Sequence, residues 1–116
     1  MFALNFISSH NEKLLMTREK TATIRLGDVR DVYPESSIVW ITFGNKYGQK
    51  RKLYQAIIDR ALIKKFSDIS TEELLHQNPN INTVEELMSL FEEIYERKIY
   101  IDDIVTVIHF SEVTAE

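Results

Sequence analysis

The sequence predicts an α+β fold, and three observations carry that prediction. Ile38–Phe43 and Ile104–Phe110 are apolar runs rich in β-branched and aromatic residues, the composition of buried strands. From Thr83 onward, Leu87, Leu90, Phe91, Ile94 and Tyr95 recur at helical spacing and form one apolar stripe. Serine and threonine followed three residues later by glutamate recur at Ser9/Glu12, Ser70/Glu73 and Thr83/Glu86, the spacing of a helix-opening capping box.

Taken in order, Phe2–Ile7 reads as a first strand, and Ser9 opens a short helix that buries Leu14, Leu15 or Met16. A second strand follows, alternating from Thr21 to Leu26 with Lys20 at its entrance, then Gly27-Asp28 as a turn and Tyr33–Ser36 as a loop. Ile38–Phe43 is the third strand, and Gly44–Gly48 a hairpin loop. Gln49–Phe66 fits neither the strand nor the helix period cleanly. Asp68–His76 reads as a second short helix, ended by Asn78-Pro79-Asn80. The longest helix starts at Thr83, its Glu85-Glu86 and Glu92-Glu93 forming a wet face, and Ile104–Phe110 closes the chain as a strand. With no repeat, linker or low-complexity segment, residues 1–116 are expected to form one domain.

Composition narrows the chemistry. The 116 residues are 44% hydrophobic with three glycines, which favours a packed core over disorder. The absence of cysteine excludes disulfides, a thiol nucleophile and cysteine-based metal sites. Histidines 10, 76 and 109 show no metal-ligand spacing, so no metal or cofactor is expected. No Gly-x-Ser-x-Gly elbow, glycine-rich phosphate loop or dinucleotide fingerprint occurs. No apolar run approaches membrane-spanning length, and residues 1–6 are too short for a signal peptide, so a cytoplasmic protein without a membrane partner is expected. A net charge of −4 weighs against coating nucleic acid but leaves room for a local basic patch.

Chemistry concentrates in Lys20-Thr21-Ala22-Thr23-Ile24-Arg25-Leu26-Gly27-Asp28. Strand alternation puts Ala22, Ile24 and Leu26 on a core face and Thr21, Thr23 and Arg25 on the other, with Lys20 at its entrance. A row of hydroxyls with an arginine fork and a lysine suits an anionic or carbonyl-rich ligand. The plain alternative is the wet side of a half-exposed strand. A second concentration is Lys46, Tyr47, Lys50, Arg51 and Lys52 around the hairpin. Cations beside tyrosines suit phosphates and unpaired bases, and equally suit a solvated hairpin tip whose charges block edge-to-edge aggregation.

The pattern Lys20-x-x-Thr23-x-Arg25, then Gly27-Asp28, resembles the signature of the ASCH domain family, a branch of the RNA-linked PUA-like β-barrels. Arg18 stands where that signature has glycine. The order of elements agrees over nearly the whole chain. The resemblance implies a PUA-like mixed β-barrel with flanking short helices and one longer helix. It therefore favours a long bent strand with a bulge, or two strands, over Gln49–Phe66. It also implies an RNA- or nucleotide-binding cleft lined by Lys20, Thr21, Thr23 and Arg25, with Ala22, Ile24 and Leu26 pointing into the barrel. Some ASCH-like proteins resemble amidohydrolases acting on acetylated cytidine. In that reading Lys20 is the nucleophile or base and Thr23 a proton carrier, working with a glutamate shortly before the long helix. Here that stretch, His76–Asn82, has no carboxylate, so binding ranks ahead of hydrolysis.

Overall fold

The computed structural model describes residues 2–7, 9–45, 47–78 and 80–114, without the side chains of Ser9 and His10. Its elements are β1 (Ala3–Phe6), α1 (Ser9–Met16), β2 (Ala22–Leu26), β3 (Ile38–Gly44), β4 (Lys50–Lys65), a 3-10 turn (Phe66–Asp68), α2 (Thr71–Gln77), α3 (Val84–Tyr95) and β5 (Ile104–Glu112). The sheet runs β1-β3-β4-β5-β2. β1 pairs β3 in parallel, and every other pairing is antiparallel.

β4 explains why its periodicity was unreadable. Its first half pairs with β3 and its second with β5, so one strand serves both sides of a curled sheet. The register skips Leu53 opposite β3 and Asp59 opposite β5. Each bulge switches which side chains face the core and sharpens the twist. Tyr54, Ala56 and Ile58 are buried at strand spacing, and the next buried residue is Ala61, three positions on. The bent, bulged strand is thus what forms.

The curl brings non-adjacent strands together. Phe6 of β1 and Phe110 of β5 have ring centroids 6.3 Å apart although two strands separate them in the sheet. Inside the curl, Leu4, Phe6, Ile41, Ile58, Ile108 and Phe110 form one core, sealed by Leu15 of α1. A second core joins Ile24, Val105 and Val107 to Phe66, Leu74, Leu87 and Phe91 under α2 and α3.

These two cores correct the expected faces of β2. Ile24 and the partly buried Leu26 do not point into the barrel; they pack in the second core, under the helices. The barrel side carries Thr23 and Arg25, whose strand partners are Ile108 and Thr106. Both faces of β2 are covered, so alternation alone could not say which one is inside.

The helices form largely as the spacing predicts. Ser70 and Glu73 make a complete capping box on α2, and Thr83 accepts from the Glu86 backbone at the start of α3. The proposed Ser9 cap lies outside the described side chains; the Glu12 carboxylate pairs with Arg51. In α1 Leu14 and Leu15 are buried, whereas Met16 is exposed.

Candidate functional site

The sheet ends at β1 and β2, and the seam between these two edges opens into a cavity of about 400 Å³. Lys20, Thr23 and Arg25 line it together. Asn5, Phe6 and Asn11 complete one wall, Gln77 and Asn78 of the α2 exit another, and Leu90, Phe91, Ile94 and Tyr95 of α3 a third.

Lys20 sits inside this site and not at its entrance: it is 1% exposed. Its Nζ donates to the backbone carbonyl of Gln77. That acceptor lies at the C-terminal end of α2, where carbonyls lack helical partners and attract a cation. The Phe6 ring lies beneath both cations, 5.4 Å from Lys20 Nζ and 5.0 Å from the Arg25 guanidinium, within cation–π range. Burial, and then the neighbouring Arg25 charge, push the Lys20 amine down to about 7.

Arg25 bridges the seam. Its Nη2 donates to the Asn5 carbonyl at 2.9 Å, and its Nε to Thr23 Oγ1 at 3.2 Å. Asn5 is itself fixed, its Nδ2 donating to Gly44 and its Oδ1 accepting from Thr42. Thr23 is 3% exposed, and having accepted from Arg25 it keeps a hydroxyl proton to donate. Burial lowers the Arg25 pKa, but guanidinium stays charged at any working pH. No aspartate or glutamate stands among the described lining residues.

Thr21 departs from the sequence reading. Its Oγ1 lies 3.3 Å from His76 Nδ1, and it lines a different concavity of about 320 Å³ with Arg60, Lys64, Glu73 and His109. Regular strand begins only at Ala22, so the alternation that groups Thr23 with Arg25 does not extend back to Thr21. Glu73, the nearest upstream carboxylate, is spent elsewhere: it accepts from Lys64 and from the Ser70 backbone. His76 and His109 share that second concavity, yet no set of three metal-binding side chains occurs among the described residues.

The basic hairpin does not line the seam cavity. Lys46 lies outside the described residues. Tyr47 is 92% exposed, and Lys50, Arg51 and Lys52 are also exposed. Arg51 pairs with Glu12 of α1, and Lys52 lies 4.7 Å over the Trp40 ring.

Sequence reasoning missed the amides Asn5, Asn11, Gln77 and Asn78, and the wall residues Phe6 and Tyr95. The available signal was His76–Asn82 itself, a neutral, amide-rich stretch where the resemblance placed an acid. On α3, Ile94 and Tyr95 were assigned to the core stripe; both are exposed and face the cavity.

This architecture is that of the ASCH domain, within the PUA-like class of curled β-sheets with flanking helices. The chain superposes on the ASCH domain of Lactobacillus crispatus JV V101 with a TM-score of 0.66 at 11% identity, over 95% of this chain and 77% of that one. It is similar to a DUF984-family protein of Enterococcus faecalis V583, with a TM-score of 0.70 at 16% identity over 97% and 81%. A protein of Pyrococcus furiosus gives 0.61 at 16% identity over 98% of both chains. At such identities the likeness is one of fold. No protein-family model matches the sequence, and no curated protein matches it significantly. Among the described residues, no helix is long and apolar enough to cross a membrane.

Proposed function

We propose that this chain binds a nucleotide, free or as an unpaired residue of RNA, in the seam between β1 and β2. The observation that carries the reading is the pair Lys20 and Arg25, set over Phe6 in a cavity with no carboxylate among its described lining residues. Arg25 keeps its charge with no acidic partner among the described lining residues, and Lys20 can take up a proton beside an anion; a phosphate supplies that anion with matching acceptors. Leu90, Phe91, Ile94 and Tyr95 give the cavity an apolar wall against which a base can pack. A volume of about 400 Å³ lies within the range of small-molecule sites.

Titration calorimetry with nucleoside monophosphates beside the parent nucleosides tests the reading. The phosphate should add roughly tenfold or more in affinity, since charged hydrogen bonds are worth about 1.5–3 kcal/mol. Lys20→Ala should remove most of that difference. Equal affinity for nucleoside and nucleotide, or binding of neither, would reject it.

One observation favours a second reading, hydrolysis of an acetylated cytidine. With its pKa near 7, a large share of Lys20 is neutral amine at neutral pH, as a nucleophile or base requires. Against it, Gln77 and Asn78 stand beside Lys20 where a proton-handling carboxylate would be needed. Wild-type protein is therefore expected to show little turnover of acetylated cytidine.

A further inference from the structure

We propose that Gln77 determines which base the cleft accepts, selecting a ring that presents a carbonyl over one that presents an amino group. The inference rests on the nucleotide-binding reading above.

Gln77 is the last residue of α2 and is almost fully buried. Its side-chain Oε1 accepts from the backbone N–H of Ile24 at 2.7 Å. That N–H lies on the free edge of β2, where no strand takes it. The backbone carbonyl of the same residue accepts from Lys20. Gln77 is thus held at both ends, and its amide cannot flip without placing NH₂ against N–H. A glutamine normally offers a ligand either a donor or an acceptor. This one has committed its acceptor and can offer only the two Nε2 hydrogens.

Gln77 lines the seam cavity. No hydrogen bond to a described residue uses its Nε2 hydrogens, so these are the donors it has left for a ligand there. Lys20 and Arg25 gather over Phe6, which places the phosphate there. The Gln77 amide lies beside Ile24, with Leu90 and Phe91 as the apolar wall, which places the ring edge against it. A uracil carbonyl accepts from Nε2. The cytosine amino group brings donor against donor and leaves both unpaired, the arrangement that sites reject most strongly.

The experiment compares uridine and cytidine monophosphate by calorimetry. Wild-type protein should bind the uridine nucleotide about tenfold more tightly, the worth of one hydrogen bond plus the mismatch. The pyrimidin-2-one ribonucleotide, which lacks the 4-carbonyl, should lose that advantage without any change to the protein. Gln77→Met should abolish the preference. Gln77→Glu keeps an oxygen for the Ile24 N–H and turns a second one to the cavity, so the ratio should invert toward cytidine even though the added charge weakens both. Equal affinity of wild type for both nucleotides overturns the inference and leaves nucleotide binding standing. An unchanged ratio in Gln77→Glu also overturns it. Binding of neither nucleotide overturns the nucleotide reading, and this inference with it.

Discussion

The guanidinium of Arg25, on β2, donates to the backbone carbonyl of Asn5, on β1, at 2.9 Å. These strands are the two ends of the sheet, so a side chain spans the gap that a closed barrel would bridge with backbone pairing. The contact holds the cleft walls at a fixed distance and leaves the space between them accessible.

Removing that bridge should loosen the seam. Arg25→Ala leaves the Asn5 carbonyl and Thr23 Oγ1 without their donor, and is expected to cost about 1.5–3 kcal/mol, the value of a charged hydrogen bond. Arg25→Lys keeps the charge but not the fork that serves Thr23 and Asn5 together, so it should recover phosphate binding better than stability. Urea denaturation and nucleotide titration of both variants measure the two effects. Unaltered stability in Arg25→Ala would mean that the strands hold the seam without the bridge.

Lys20 sets a pH dependence whose sign is fixed. Its folded pKa, about 7, lies below the ordinary lysine value of 10.5. Between those values the unfolded chain binds the extra proton, so stability rises with pH across that window. Below about 7 both states are protonated, and the full cost of enclosing the charge is present. Relative to Lys20→Met, wild type should therefore be least stable below pH 7 and should gain on the variant toward pH 10. An anionic ligand favours the protonated amine, so nucleotide binding should take up a proton above pH 7 and weaken there. Denaturation of both proteins at pH 6.5 and 9.5 reads the first effect, and buffer-dependent calorimetry the second. A stability difference that does not change with pH would show that Lys20 titrates normally.

The site was legible where a residue type fixes its chemistry and illegible where tertiary contacts choose the face. Lys20, Thr23 and Arg25 stood out because their donors and charges fall at the spacing of the ASCH signature; alternation by itself fits the wet side of a strand equally well. The side of the sheet they occupy was not written there, because Ile24 and Leu26 are also covered, by helices far along the chain. Thr21 was grouped with them because pattern cannot show that β2 begins one residue later. Gln77 was invisible because a glutamine after a helix is ordinary; only the fold brings it to Ile24, 53 residues away. Likewise β4 hid its strand character behind two bulges whose positions depend on its partners.

Arg18 occupies the signature's glycine position, and it adopts φ 64°, the left-handed region that glycine enters without strain. Its side chain offsets that strain by pairing through two nitrogens with Glu112, at 2.8 and 2.9 Å, and by lying 4.0 Å over the Tyr54 ring. Arg18→Gly should remove strain and contacts together and shift the melting temperature by only a few degrees. Arg18→Val keeps the strain, worsens it by β-branching and loses the contacts, so it should be clearly less stable. Thermal unfolding of the pair is decisive: similar losses in both would assign Arg18's value to its contacts alone.

Substitutions in the hairpin test whether the proposed nucleotide ligand is free or part of an RNA strand. Lys50 and Lys52 are exposed and line no part of the cleft, so Lys50→Gln with Lys52→Gln should leave nucleoside monophosphate affinity unchanged. Arg51 is best left intact, because it pairs with Glu12 of α1, the helix that carries the cleft residue Asn11. If the ligand is a single-stranded oligonucleotide, the two lysines are the proposed contacts to phosphates flanking the bound residue. Each contact then contributes about 0.7 to the slope of log affinity against log salt. The double variant should accordingly weaken oligonucleotide binding and flatten its slope by up to about 1.4, two contacts at that value. Affinity and slope that match wild type would confine recognition to the seam, and would make the hairpin charges a guard against pairing at that exposed turn.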